Sequence, residues 1–137
     1  MRTNIGIDIG STCAKTAVMD ENGKVLFTML RPTGWSSVDT AEEIRSKLEQ
    51  NGISNENSGI VATGYGRISV PFADRCVTEI TCHAKGACHI FHADDLLVID
   101  IGGQDIKCFK IKTSGILNIL QDTYSKKQGK DGLGSWQ

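Results

Sequence analysis

The segment Ile5–Val18 reads IGIDIGSTCAKTAV. Two short apolar stretches flank the turn Gly10–Cys13, and this pattern predicts a β-hairpin. The turn signal DENG follows at Asp20–Gly23, and the alternation of Lys24–Leu30 predicts a third strand. The chain is therefore expected to open with three antiparallel strands, and the first of them carries Asp8 near its end.

The rest of the chain alternates helical and strand patterns. Apolar residues at spacings of three and four predict two helices, the first capped by serine and ended by glycine. Four consecutive apolar residues at Leu96–Ile99 predict a central buried strand, because they leave no face for solvent. The elements predicted after the third strand are, in order, a helix from Ser36 or Ser37 to Gly52, a strand at Gly59–Ala62, a helix at Thr78–Phe91, and strands at Leu96–Ile99, Lys107–Ile111 and Gly115–Leu120.

This order predicts an α/β fold with a mixed sheet and flanking helices. A length of 137 residues with 39% hydrophobic content suits one folded unit, which we expect over residues 1–121. Residues 122–137 are polar, rich in glycine and lysine and without periodicity, so we expect a disordered tail there.

Composition excludes several classes of function. The formal net charge of -1 and the pI of about 6.3 give no basic footprint for nucleic acid and no polybasic membrane anchor. The first residues lack the apolar run of a signal peptide, and no stretch reaches the roughly 20 apolar residues of a membrane span, so a cytoplasmic location is expected. The five cysteines include no Cys-x-x-Cys pair, which argues for reduced thiols rather than a disulfide framework.

Two predicted strands end in the same pattern, an aspartate followed two residues later by glycine. The first is Asp8 with Gly10, and the second is Asp100 with Gly102. Glycine lets backbone N–H groups approach an anion such as a phosphate. An aspartate beside a phosphate is repulsive unless Mg²⁺ with its bound waters lies between them. The repeated pattern therefore predicts a site for a metal nucleotide, with both aspartates acting through water bound to Mg²⁺.

Polar residues beside these turns suit phosphate chemistry. Ser11 and Thr12 add hydroxyl donors, and Gly103 extends the second turn. Gln104 is the candidate for orienting a water that attacks the terminal phosphate, since phosphoryl transfer depends mainly on positioning and charge neutralisation. Lys15 either reaches a phosphate or points into solvent, and alternation along its strand leaves both open.

Two further motifs each have a functional and a structural interpretation. The glycine-bracketed turn TGYGR at Thr63–Arg67 indicates close approach of the backbone to another group, or is an ordinary turn. His83, between Cys82 and Cys88, suggests a metal site, but the spacing of the two cysteines is poor for a helix. A packed thiol and a hydrogen-bonded histidine are the better prediction.

Four segments carry a family resemblance: IGIDIGSTCAKTAV (Ile5–Val18), GYGR (Gly64–Arg67), EITCHAKGA (Glu79–Ala87) and VIDIGGQDIK (Val98–Lys107). In this order they resemble the ATPase activators of 2-hydroxyacyl-CoA dehydratases and the related ATPase subunits of benzoyl-CoA reductases. The resemblance implies a ribonuclease-H-like lobe of the actin, sugar-kinase and Hsp70 type, whose nucleotide lies in a cleft between two such lobes.

The resemblance also implies roles for particular residues. The first phosphate motif maps onto Asp8, Gly10, Ser11 and Thr12, and the second onto Asp100, Gly102, Gly103 and Gln104. Where the family has threonine or serine after the second hydroxyl residue, this chain has Cys13, a small change that leaves phosphate binding intact.

In the family, ATP and Mg²⁺ serve reductive activation. A homodimer holds one [4Fe–4S] cluster through two cysteines from each subunit, and ATP hydrolysis drives an electron to a dehydratase or reductase component. Neither ligating cysteine is found here, since the last cysteine is Cys108 and the family's cysteine segment is replaced by Gln121–Gln137. The sequence is therefore expected to be a truncated relative, a gene fragment that lacks the second lobe.

Two other functions stay open. One is a non-enzymatic nucleotide-binding half-module that needs a partner chain, and the other is a sugar- or acetate-kinase-like phosphotransferase lobe. The EITCHAKGA and GGQD segments favour the activator over the kinase.

Overall fold

Alternating apolar and polar residues build two sheets, each covered on one face by a helix. The computed structural model describes residues 2–112 and 115–123, with side chains described up to Ile116. Its elements are β1 (Thr3–Ile9), β2 (Cys13–Met19), β3 (Val25–Pro32), α1 (Ser37–Gln50), β4 (Ser58–Thr63), a 3₁₀ turn (Arg67–Ser69), β5 (Arg75–Cys76), α2 (Glu79–Phe91), β6 (Leu96–Ile101), β7 (Asp105–Lys112) and β8 (Gly115–Thr123).

The chain divides into two compact units. The first is Met1–Glu79, and the second begins at Ile80. The first unit holds a five-stranded mixed sheet in the order β3-β2-β1-β4-β5, in which β1 runs antiparallel to β2 and parallel to β4. The second unit holds an antiparallel sheet in the order β6-β7-β8.

The core of the first unit lies between its sheet and α1. Successive side chains of a strand point to opposite faces, so Ile5, Ile7 and Ile9 share the face that is buried with Ile44 and Leu48 of α1. The alternate residues of β1, including Asp8, lie on the other face. The helix begins where the sequence predicts, because the Ser36 side chain accepts a hydrogen bond from the Asp39 N–H at 3.2 Å.

The core of the second unit is smaller. Phe109 and Ile111 of β7 are buried against Ala84 of α2. Partly buried apolar residues complete this cluster: Ile80, Ala87, Cys88, Leu96 and Val98. Ile80, Ala84 and Ala87 therefore form the packed stripe of α2, and Ile90 and Phe91 are exposed.

The prediction of a central buried strand at Leu96–Ile99 is wrong. β6 is an edge strand, and its side chains at Leu97, Ile99 and Ile101 are 62%, 62% and 73% exposed. A continuous apolar run supplies residues to both faces of a strand, and in this unit α2 covers only one of them. The run therefore leaves half of its side chains in contact with solvent.

This difference in burial predicts unequal effects of the same substitution in one sheet. Ile111→Val is expected to lower the free energy of unfolding by about 1 kcal/mol, because it removes a buried methylene. Ile99→Val is expected to change it by less than about 0.5 kcal/mol, because that side chain is exposed. Urea denaturation of both variants measures the difference, and equal losses would contradict the open face of β6.

The predicted extent of the domain, residues 1–121, stays a prediction. β8 continues to Thr123, two residues into the segment expected to be a tail, and the remainder of that segment, residues 124–137, lies outside the described residues. Neither described helix has the length and apolar character needed to cross a bilayer.

Candidate functional site

The turn between β1 and β2 is closed by backbone bonds and fastened to the end of β3. The Gly10 N–H donates to the Cys13 carbonyl at 2.9 Å. The Thr33 hydroxyl donates to the Gly10 carbonyl at 2.7 Å, and the Thr33 N–H donates to the Thr12 carbonyl at 3.0 Å. Because these bonds fix the turn from within, Ser11 and Thr12 at its tip remain exposed.

Asp8 and Lys15 lie side by side at this turn. They are direct partners in the β1–β2 register, so both point to the face opposite α1. The Lys15 Nζ is 3.8 Å from the Asp8 Oδ2, and the two side chains are 61% and 21% exposed. Lys15 therefore lies on the Asp8 side and is also largely exposed, and its role toward a phosphate stays a prediction.

The TGYGR loop after β4 supports the first turn. Gly64 has φ +90°, and a Cβ atom there would lie 2.3 Å from the Asp8 Oδ1 and 2.6 Å from the Ile9 carbonyl oxygen. The Gly66 N–H donates to the same Ile9 carbonyl at 2.8 Å. The group that the loop backbone approaches is thus the Asp8–Ile9 strand end, an approach that only glycine permits.

The turn between β6 and β7 has the same form as the first. The Gly102 N–H donates to the Asp105 carbonyl at 2.8 Å, which matches the Gly10–Cys13 bond in donor, acceptor and spacing. The Asp105 carboxylate lies beneath Gly102, where a Cβ would be 2.7 Å from its Oδ1, and it pairs with the buried Lys107 Nζ at 2.6 Å. Gly103 and Gln104 are exposed at the tip.

Asp100 has a partner that the sequence did not predict. The His83 Nδ1 of α2 is 2.6 Å from the Asp100 Oδ2. The two side chains are 31% and 26% exposed, so the contact is partly shielded from solvent. His83 is therefore a hydrogen-bonded histidine, the prediction preferred over a metal ligand.

The predicted site residues form two groups, one in each unit. The first unit gathers Asp8, Gly10, Ser11, Thr12 and Lys15, and the second gathers Asp100, Gly102, Gly103 and Gln104. Sequence reasoning did not single out Thr33 and Lys107, and it did not predict the partners of His83 and Asp105. Each of these contacts either joins residues that are far apart in sequence or follows from the alternation of side chains along a strand, and neither produces a recognisable sequence motif.

Each turn carries one carboxylate at its strand end, Asp8 in the first unit and Asp100 in the second. Mg²⁺ takes oxygen ligands, keeps several waters and is held by one or two carboxylates together with phosphate oxygens. A Cβ at Gly10 would lie 3.0 Å from the Cys13 carbonyl oxygen, and one at Gly102 would lie 2.7 Å from the Asp105 Oδ1, so both turns are tightly closed. Residues 2–112 and 115–123 contain no cluster of three or more His, Cys, Asp or Glu suited to an all-protein metal site. All five cysteines are free thiols.

The role of Thr33 at the first turn gives a prediction about stability. Thr33→Val is expected to lower the free energy of unfolding by about 1 kcal/mol, because the Gly10 carbonyl loses its 2.7 Å hydroxyl donor while side-chain volume is kept. Thr28→Val on the exposed face of β3 is the matched control, with a change under about 0.5 kcal/mol. Denaturation curves of the two variants that coincide would show that the Thr33 hydroxyl contributes nothing to the turn.

Comparisons with known proteins match this chain to one family of ATPases. The model of the BadF/BadG/BcrA/BcrD ATPase family matches residues 5–121. The 2-hydroxyisocaproyl-CoA dehydratase activator of Clostridioides difficile is 31% identical over 120 residues, which cover 86% of this chain and 45% of that protein. The chain spans about half the length of the curated relatives it matches.

Two solved structures share the fold. The Acidaminococcus fermentans (R)-2-hydroxyglutaryl-CoA dehydratase component A has a TM-score of 0.74 at 31% identity, covering 92% of this chain and 48% of that one. The activator of the 2-hydroxyisocaproyl-CoA dehydratase from Clostridium difficile with bound ADPNP has a TM-score of 0.76 at 29% identity, covering 88% and 46%. These matches confirm the predicted α/β, ribonuclease-H-like fold class and the family resemblance.

Proposed function

The chain belongs to the BadF/BadG/BcrA/BcrD ATPase family, and from this premise we propose that it binds Mg-ATP as part of an activator of a 2-hydroxyacyl-CoA dehydratase. The observation that best supports this proposal is the repeated turn. In each unit an aspartate at a strand end precedes a glycine whose N–H closes onto the carbonyl three residues later, at 2.9 Å and 2.8 Å. Relatives named as dehydratase activators, one of them with bound ADPNP, support the same reading.

The first turn would bind phosphate oxygens. Asp8 would hold water molecules on Mg²⁺, which supplies the charge that lets a carboxylate lie beside a phosphate. Lys15, 3.8 Å from the Asp8 carboxylate, would bring a second positive charge to the same side of the sheet. The Ser11 and Thr12 hydroxyls are exposed at the tip and would donate hydrogen bonds to phosphate.

The second turn would serve hydrolysis. Asp100 would accept hydrogen bonds from metal-bound water, and the exposed Gln104 would orient the attacking water by donating and accepting at its amide. Asp105 and Lys107 form an ion pair at 2.6 Å beneath Gly102, so they would hold the turn rather than contact the nucleotide.

Dehydratase activation is the finer part of the proposal. The partner would be a 2-hydroxyacyl-CoA dehydratase, or the reductase component of a benzoyl-CoA system, and the active form a homodimer. The proposal assigns no electron-transfer step to any described residue.

Calorimetric titration of the 137-residue chain with ATP tests nucleotide binding. Binding is expected with Mg-ATP, and it is expected to disappear when EDTA removes the metal, because the carboxylates would then face the phosphates directly. Absence of heat with Mg-ATP, or equal binding in EDTA, would contradict the proposal.

A second measurement addresses the partner. The chain is expected to co-elute with a purified 2-hydroxyisocaproyl-CoA dehydratase on gel filtration in Mg-ADPNP. If the two proteins elute separately while the chain still binds Mg-ATP, the proposed nucleotide site stands and that dehydratase is not the partner.

A further inference from the structure

One contact near the second turn joins two elements of the second unit. His83 lies in α2, and Asp100 lies near the end of β6. Their Nδ1 and Oδ2 atoms are 2.6 Å apart and form a side-chain hydrogen bond. The helix is held in place by Ala84, the next residue, which is buried against Phe109. The imidazole is therefore carried by a packed element and meets the carboxylate in a fixed position.

We propose that His83 is the positioning residue for Asp100. Its Nδ1–H donates to Oδ2 and fixes the carboxylate rotamer, leaving Oδ1 as the oxygen that accepts from metal-bound water. This inference rests on the proposed function, because it assigns Asp100 to the metal nucleotide. Groups that hold a metal-binding carboxylate in this way typically contribute tenfold or more to metal affinity.

The choice of residue type supports a positioning role. Asp105, five residues away, is paired with a lysine, and that ion pair places a permanent positive charge beside the carboxylate. The His83 imidazole meets Asp100 through one ring nitrogen, which can donate a single N–H, whereas a lysine ammonium carries three donors. A single donor occupies one carboxylate oxygen and leaves the other available to metal-bound water.

A purely structural role is the competing explanation. The bond could serve only to tie α2 to the sheet, and in that case its removal would lower stability without altering metal dependence. The two roles differ in one further respect. Positioning requires a hydrogen-bond donor at the place of Nδ1. A role limited to holding α2 on its sheet does not require one, because the packing of another side chain at this position could replace it.

Three substitutions separate these roles. His83→Asn keeps an N–H close to the position of Nδ1, His83→Gln places its N–H near the position of Nε2, and His83→Leu has none. The Mg²⁺ concentration that half-saturates ATP binding is measured for each by titrating Mg²⁺ at fixed ATP. We expect about a tenfold increase for His83→Gln and His83→Leu, and a value within about threefold of the unsubstituted chain for His83→Asn. Equal values for all three variants and the unsubstituted chain would overturn the proposal.

A readout without nucleotide tests the bond itself. In the metal-free chain, ¹⁵N NMR of the imidazole is expected to show the proton on Nδ1, and Asp100→Asn is expected to shift that signal. A proton on Nε2 would overturn the proposal. If the proposed function is wrong, the unsubstituted chain will not bind Mg-ATP. If only the positioning role is wrong, the unsubstituted chain will bind Mg-ATP, and His83→Leu will bind it with the same dependence on Mg²⁺.

Discussion

Replacing Asp8 by asparagine is expected to lower the affinity for Mg-ATP by about 100-fold. The carboxylate lies at the end of β1 on the face opposite α1, 3.8 Å from Lys15. Asparagine keeps the size of the side chain and removes its negative charge, so water bound to Mg²⁺ loses a charged hydrogen-bond acceptor. The fold is expected to persist, since the ion pair with the exposed Lys15 contributes at most about 1 kcal/mol and asparagine keeps the shape of the partly buried side chain.

The matched control is Asp95→Asn, the same change at an exposed aspartate just before β6. Calorimetric titration should give that variant the affinity of the unsubstituted chain, and circular dichroism should show all three chains folded. A folded Asp8→Asn variant with unchanged affinity would remove the first turn from the nucleotide site.

The second large effect is expected at Gly64, in stability rather than binding. Gly64→Ala should lower the free energy of unfolding by about 2–5 kcal/mol. A left-handed φ of +90° costs an alanine about 1–2 kcal/mol, and the overlap of its Cβ with the Asp8 Oδ1 and the Ile9 carbonyl adds about 1–3 kcal/mol.

Gly52 provides a control that isolates the overlap. Its φ of +74° is similar, but a Cβ there would meet nothing within 4 Å. Gly52→Ala should therefore lose only the conformational part, about 1–2 kcal/mol. Urea denaturation of both variants decides the matter, since equal losses would mean that the TGYGR loop does not brace the first turn.

Local pattern was enough to predict the elements of the first unit. The alternation of β1 to β3, a serine cap and the apolar spacing of α1 are properties of neighbouring residues. The structure confirms the strands and puts the cap at Ser36. It buries Ala41, Ile44 and Leu48 of the α1 stripe, whereas Val38, also predicted there, is exposed. β5 was missed because it is two residues long, and it is defined only by pairing with Val61 and Ala62 of β4. Such pairing leaves no signal in so short a segment.

The site was predictable to the same degree. Both aspartate–glycine turns are local motifs, and the structure shows them with one geometry. The His83–Asp100 bond was not predicted, because it joins residues 17 apart and depends on how α2 packs on its sheet. One signal was available. His83 follows Ile80 by three residues and precedes Ala84, so it flanks the packed stripe and lies close to the sheet edge of the helix.

The open face of β6 has a consequence for the behaviour of the protein in solution. Leu97, Ile99 and Ile101 form an apolar row on a strand at the edge of its sheet, and such rows promote aggregation through edge-to-edge pairing. Self-association would rise with protein concentration and would shift apparent melting temperatures by mass action. Light scattering over a dilution series measures this self-association and should precede calorimetry. Ile99→Lys is the substitution expected to keep the chain monodisperse.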